Sequence, residues 1–343
     1  MTRISRVLIA NRGEIALRVI QACREMNIET VLAVSEADRL SLPAQMADRA
    51  VCIGPPLPSQ SYLKVDTIMA AAIGTEADAI HPGYGFLAEQ PELAKACAKY
   101  DLAFIGPRAA HIKQMGDKIF ARQVAVDSGI SIIPGSELIA DYRQAAQFAE
   151  RTGYPILLKA AAGGGGKGMK IVKTPADLRV AFNEASAEAQ SAFGDERLYL
   201  EHYVENARHV EIQIFGDGRG NVVHLFERDC SLQRRYQKLV EEAPSVDLDS
   251  AMREKVCRAA VKIAAQIKYR NAGTVEFIFD RDQEQFYFLE MNTRIRVEHP
   301  VTEQITGIDL VKEQFGVAVG NPLSFEQKDV NFVGHAIECR INA

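Results

Sequence analysis

Glu290-Met-Asn-Thr-Arg-Ile-Arg-Val-Glu298 places a polar residue at every second position: Glu290, Asn292, Arg294, Arg296 and Glu298, with Met291, Thr293, Ile295 and Val297 between them. That is strand periodicity, so the spacing predicts a β-strand with carboxylates, an amide and guanidinium groups on one face. A solvated edge strand would carry the same face, but the residues upstream argue against it. Gly273-Thr-Val-Glu-Phe-Ile-Phe279 and Gln285-Phe-Tyr-Phe-Leu-Glu290 are aromatic-rich strands around the turn-like Asp280-Arg-Asp-Gln-Glu284. Paired as a hairpin centred on Gln283, they bring Glu276 directly across from Glu290. Facing carboxylates repel unless a cation sits between them. Mg2+ takes oxygen ligands, commonly one or two carboxylates with phosphate oxygens. Glu276, Glu290 and Asn292 are therefore candidate metal ligands of a nucleotide site.

The 343 residues are 47% hydrophobic and 25% charged, the balance of a folded chain of two or three domains. No apolar run approaches the ~20 residues of a membrane span, and Val7-Leu-Ile-Ala10 is too short for a signal-peptide core. A cytoplasmic protein is expected. The net charge of -5 exerts no overall pull on nucleic acid or anionic lipid, so neither nucleic acid nor membrane is an expected partner. Cys23, Cys52, Cys97, Cys230, Cys257 and Cys339 contain no CxxC pair, which argues against a zinc site and a disulfide framework. Gly334-His-Ala-Ile-Glu-Cys-Arg-Ile-Asn-Ala343 alternates like a strand and stops without a turn, which reads as a truncated chain.

The first hundred residues alternate short apolar runs (Val7-Leu-Ile-Ala10, Thr30-Val-Leu-Ala-Val34, Ala79-Ile80, Ala103-Phe-Ile105) with amphipathic helices from about Gly13 and near Val65. This is the βαβ pattern of a doubly wound parallel sheet. Gly83-Tyr-Gly-Phe-Leu-Ala88 fits a loose GxGxxA dinucleotide fingerprint, but the next strand ends without an acidic residue for a ribose, so NAD binding is not favoured. A helical stretch over residues 107–128 leads to Tyr154-Pro-Ile-Leu-Leu-Lys159, then Ala160-Ala-Ala-Gly-Gly-Gly-Gly-Lys-Gly168 and Met169-Lys-Ile-Val172. Met169 and a strand-like exit exclude a Walker loop. Gly163, Gly164, Gly165 and Gly166 can turn their N–H groups towards an anion, which makes the loop a candidate flap over phosphates. Further on, His209, Glu211 and Gln213 share one face of a strand, and Gln233-Arg-Arg-Tyr-Gln-Lys238 is basic.

Asn11-Arg-Gly-Glu-Ile-Ala16, His81-Pro-Gly-Tyr-Gly-Phe86, Met115-Gly-Asp-Lys118, the glycine loop, Arg208-His-Val-Glu-Ile-Gln213, Glu227-Arg-Asp-Cys-Ser231 and Glu290-Met-Asn-Thr-Arg294 together resemble the ATP-grasp enzyme biotin carboxylase, in the family's order and along the whole chain. The resemblance implies an N-terminal parallel-sheet domain (1–113), a helical linker (114–131), a glycine-rich flap subdomain (132–203) and a mainly antiparallel ATP-grasp core (204–343). It also implies ATP-driven carboxylation of biotin from bicarbonate, Mg2+ or Mn2+ as metal, and a biotin carboxyl carrier protein, a carboxyltransferase and a second copy of the chain as partners. On this resemblance Lys118, Lys159, Glu201, His209 and Gln233 line the ATP site under the loop. Glu276, Glu290 and Asn292 hold the metal. Lys238, Arg294 and the Val297 N–H bind bicarbonate, Glu298 is the general base, Arg340 stabilises ionised biotin and Tyr84 packs near it.

Three residues depart from the pattern the resemblance implies: Arg296 stands where Gln is usual beside bicarbonate, Tyr236 where His is usual, and His202 where Lys is usual. Arg296 is expected to attract bicarbonate while making Glu298 a weaker base. Two alternatives remain open: a biotin-independent ligase of the carbamoyl-phosphate-forming type, and a nucleotide-binding regulatory homologue without turnover. The final carboxyl acceptor belongs to the transferase partner, with acetyl-CoA, and hence fatty acid synthesis, one of several expected possibilities.

Overall fold

In the computed structural model the described residues are 4–139, 141–161 and 169–341. A parallel sheet of β1 (Arg6–Ile9), β2 (Glu29–Val34), β3 (Arg49–Cys52), β4 (Ala79–His81) and β5 (Ala103–Phe104) has the order β3-β2-β1-β4-β5. Four of these strands follow the apolar runs expected from sequence. The edge strand β3 escapes that reading because it is largely exposed and lacks an apolar run. Two helices follow, Ala109–Gly116 and Lys118–Asp127, where sequence suggested one. Asp117 divides them, its carboxylate accepting from the Ile119 and Phe120 N–H groups as an N-cap.

Antiparallel strands β6 (Ile156–Ala160), β7 (Met169–Val172) and β8 (Leu198–His202) form a small sheet of order β7-β6-β8. Lys159 pairs with Met169, so the glycine-rich segment does join two antiparallel strands. Gly163 to Gly166 themselves lie outside the described residues.

The third sheet comprises β9 (Ala207–Asp217), β10 (Val222–Arg234), β11 (Gln237–Ala243), β12 (Arg270–Asp280), β13 (Gln285–Asn292) and β14 (Ala336–Cys339), in the order β13-β12-β9-β10-β11-β14. One face is apolar: Val210, Ile212, Val275, Phe277, Phe286 and Phe288 pack on Val256, Cys257, Ala260 and Ile263 of helix Ser250–Gln266. The other face carries the polar residues considered below. Among the described residues no helix is long and apolar enough to cross a membrane.

The predicted strand to Glu298 is corrected. β13 ends at Asn292, and Arg294, Arg296 and Glu298 lie in the irregular segment that follows, with Glu298 at the N-cap of helix His299–Thr306. Pro300 in that helix's first turn fixes a helical start, which the alternation alone did not register.

Candidate active site

The register of four adjacent strands sets the site. Glu290 on β13 pairs with Glu276 on β12, Glu276 with Glu211 on β9, and Glu211 with Arg228 on β10, giving one transverse row. A bulge creates the first pairing. Near the turn Phe288 faces Phe277, whereas one step further Glu290 faces Glu276, which leaves Leu289 as the extra residue. Were Leu289 paired regularly with Glu276, Glu290 would share the face of Phe286 and Phe288, since side chains two apart point the same way. The hairpin read from sequence has the correct pair but not the irregularity that produces it.

Cations interleave with this row. Lys238 Nζ donates to Glu211 (2.5 Å), Glu298 (3.0 Å) and Glu276 (3.3 Å). Arg228 donates through Nε to Glu211 at 2.5 Å and through its amino groups to Gln213, Thr302 and Thr274. Arg296 reaches Glu298 through Nε at 3.0 Å and Glu276 through a terminal nitrogen at 2.9 Å, with Glu211 at 3.7 Å. Three carboxylates, Glu211, Glu276 and Glu298, thus meet three cations, Lys238, Arg228 and Arg296, and all six side chains are buried. Buried charges persist only when paired this closely.

The titration of the carboxylates follows from this pairing. Burial pushes Glu276 up, but Lys238, Arg296 and His209 outweigh it and hold the group well below the ordinary range. Burial and neighbouring Glu211 likewise oppose ionisation of Glu298, yet Arg296, Lys238 and Arg228 bring it below its usual value. Glu290 behaves differently. Burial and the charge of Glu276 raise it, with Arg296 and Lys118 acting weakly in the other direction.

Glu290, half-buried, is accordingly the carboxylate in the row without full compensation. Its hydrogen bond from Asn292 Nδ2 is long, 3.4 Å. It lines a cavity of about 250 Å3 with Asn292, Lys118, Met115 and Glu89. An oxygen-rich pocket with an undercompensated carboxylate suits a hard divalent cation accompanied by phosphate oxygens. The residues therefore fit a nucleotide-bound metal, most openly at Glu290 and Asn292. His209, Glu211 and Glu276 also present ligand atoms within 4.8 Å of one another, but Lys238 and the arginines already neutralise that group.

The remaining sequence-predicted residues surround this centre. Lys118 opens helix Lys118–Asp127 at the cavity. Lys159 forms an ion pair with buried Glu201, which also accepts from Arg122 at 2.7 Å. His209 is held between Glu276 at 2.5 Å and the Gln233 amide at 2.9 Å. Arg294 donates to Glu89 at 2.8 Å and to the Asn292 side-chain oxygen at 3.2 Å. Val297 lies in the turn before helix His299–Thr306. Arg340, just past β14, lies 3.6 Å from both Glu298 and Glu241. Tyr84 donates to Glu14 at 2.5 Å and feels the charges of Glu338 and Arg340. Tyr236 sits exposed at the β10–β11 turn with φ 67°, apart from the buried cluster.

Sequence reasoning missed Arg228 and Glu241 and gave Glu211 no role. Arg228 lies in a strand that reads as a polar mixture, and only pairing with β9 reveals its partner. Glu241 is fully buried opposite Glu338 across β11 and β14. Burial and the charge of Glu298 raise it, while burial and the charge of Glu241 push Glu338 up to about 7.

A parallel-sheet domain, a small antiparallel sheet carrying a glycine-rich connection and an antiparallel core with a carboxylate row define an ATP-grasp ligase. Residues 3–112 match the family model of the biotin carboxylase N-terminal domain, and residues 117–326 that of the carbamoyl-phosphate synthase L chain ATP binding domain. Biotin carboxylase 1 of Bacillus subtilis is 53% identical over 341 residues, covering 99% of this chain and 76% of that protein. Biotin carboxylase of a Nostoc species is 52% identical over 342 residues, 99% of this chain and 76% of the relative. The biotin carboxylase domain dimer of Hydrogenobacter thermophilus 2-oxoglutarate carboxylase, solved with MgADP, ADP and bicarbonate, superposes with a TM-score of 0.93 at 48% identity, covering 100% of this chain and 76% of that one. The chain belongs to the biotin carboxylase family.

Proposed function

We propose that the protein carboxylates biotin on a carrier protein, using ATP and bicarbonate, as the first half-reaction of a biotin-dependent carboxylase. The observation that carries this reading is the buried Glu298, kept ionised by Lys238 and Arg296 close to the carboxylate row that suits a nucleotide metal. Glu298 removes the bicarbonate proton while a bicarbonate oxygen attacks the γ-phosphorus and the bond to ADP breaks, forming carboxyphosphate. Lys238 and Arg294 bind the anion, with the Val297 N–H assisting. Carboxyphosphate then divides into CO2 and phosphate, the released phosphate takes the proton of the biotin ureido nitrogen, which attacks CO2, and Arg340 faces the negative oxygen that develops on the ring. Mg2+, or Mn2+ in its place, would be held by Glu290 and Asn292, with Glu276 beside them, and when bound would neutralise charge on the phosphates. Lys118, Lys159, Glu201, His209 and Gln233 position ATP, and Tyr84 packs against biotin. The glycine segment Gly163 to Gly166 fits a phosphate flap.

The same reading divides the chain at about residues 113, 131 and 203, and assigns it a cytoplasmic address, a carrier and a carboxyltransferase as partners and a homodimeric state. Carboxylation of free biotin, followed with labelled bicarbonate, tests it. Glu298→Gln should lower the rate by about a hundredfold or more, the scale of a lost general base. ATP hydrolysis without carboxylated biotin would instead identify a biotin-independent ligase. A second reading, a nucleotide-binding homologue without turnover, is favoured by the Arg296 contact that occupies one oxygen of Glu298. It would be established by nucleotide binding with no hydrolysis at any bicarbonate concentration.

A further inference from the structure

Glu276 and Glu290 face each other in register, an arrangement that a bridging divalent cation would satisfy. The two carboxylates are nevertheless unlike. Glu276 Oε1 accepts from Arg296 at 2.9 Å, from Asn292 at 2.9 Å and from Lys238 at 3.3 Å, while Oε2 contacts His209 at 2.5 Å. A carboxylate offers about four lone-pair positions, so Glu276 is saturated. Glu290 has the 3.4 Å contact from Asn292 and opens on the cavity.

Arg296 is the cation held closest to Glu276: its guanidinium lies 2.9 Å from Glu276, reaches Glu298 at 3.0 Å and approaches Glu211 at 3.7 Å. Lys238, by contrast, also satisfies Glu211 at 2.5 Å and would keep that partner if Glu276 turned to a metal. A Mg2+ ion needs its ligand oxygens at about 2.0–2.1 Å, and a guanidinium already bonded to Oε1 both fills that approach and repels the incoming charge.

We propose that Arg296 is a tethered cation that takes the place of a divalent ion at Glu276, so that the protein holds one metal per nucleotide, at Glu290 and Asn292, instead of a second one bridging to Glu276. Arg296 is in this sense a positioning residue: it fixes the ionised carboxylates of Glu276 and Glu298 without requiring metal and sets the metal stoichiometry. The inference rests on the nucleotide-metal reading of the site but not on turnover.

Electron paramagnetic resonance of Mn2+ titrated into the protein with a non-hydrolysable ATP analogue tests it. The wild type should bind one Mn2+ per analogue. Arg296→Gln should bind a second, or hold its ions at least about tenfold more tightly, because a cation a few ångströms away has been removed. Arg296→Lys, which keeps the charge, should resemble the wild type. Two tightly bound ions in the wild type overturn the proposal whatever the variants do, as does equal stoichiometry and affinity in wild type and Gln variant, or a Lys variant that behaves like Gln. Failure of the carboxylase reading is seen separately, as the predicted Mn2+ behaviour without carboxylation of biotin.

Discussion

At the residue scale the decisive contact is Arg296 on Glu298, 3.0 Å. Because Arg296 is one of the cations that depress Glu298, Arg296→Gln should let its pKa rise. The base works only when ionised, so the acid limb of the rate profile should move to higher pH. A charged donor to an anion is worth ~1.5–3 kcal/mol, so the bicarbonate KM should rise by about tenfold. A more basic, unencumbered Glu298 should raise kcat. Steady-state kinetics across pH and bicarbonate check all three, and unchanged parameters would show that Arg296 does not act on the base. Identity and neighbourhood of Glu276, Glu290 and Glu298 were legible in the sequence. Their differing charge states were not, since these depend on Arg228 and Lys238, which arrive from strands 38 to 62 positions away in the chain from Glu276 and Glu290.

At the element scale the strands hold the site through close backbone approaches and one buried guanidinium. A methyl at Gly216 would lie 2.2 Å from the Tyr269 carbonyl oxygen, backbone that cannot swing aside. Gly216→Ala should therefore cost about 1–3 kcal/mol or more in denaturant unfolding. Arg228 links β9, β10, β12 and helix His299–Thr306 through Glu211, Gln213, Thr274 and Thr302. Arg228→Ala leaves Glu211 partly uncompensated in the interior and should cost about 3–5 kcal/mol. A loss below about 1 kcal/mol, well under the cost of an uncompensated buried charge, would mean that Lys238 suffices. Hairpins, glycine connection and helices with apolar stripes were readable because their signals are local. The end of β13 was not, because polar alternation persists through an irregular segment from which Arg296 and Glu298 point inwards to the charge cluster.

At the scale of the whole molecule, Arg18 on the N-terminal helix Gly13–Glu25 donates to Glu303 at 2.9 Å and Asp309 at 2.7 Å, tying the parallel-sheet unit to the helix that begins at Glu298. Arg18→Ala should lower both the melting temperature and kcat/KM. Retention of both would show that the apolar contacts between the units suffice. Buried histidines couple stability to pH. Burial lowers His81 to about 3 and His299 to about 4, whereas unfolded imidazoles protonate near ~6.5. As pH falls below ~6.5 the unfolded chain binds protons that the folded one refuses, so this contribution to stability, present at neutral pH, is progressively lost. His81→Gln should flatten the fall between about pH 6 and 4 by about 1.4 kcal/mol per pH unit, one proton's share, in urea titrations. An unaltered slope would place the acid sensitivity elsewhere.

The extra residue Leu289 has an engineering consequence. Pairing of Glu276 with Glu211 on one side and the bulge on the other fix the functional register independently of the four residues, 281–284, that join β12 to β13. That turn can be lengthened, or replaced by a peptide tag or a reporter graft, without displacing the carboxylates. Removing Leu289 alone would make the ladder regular, with Glu290 directly after Phe288 and still across from Glu276, so the carboxylate pair would survive while the local bend is lost.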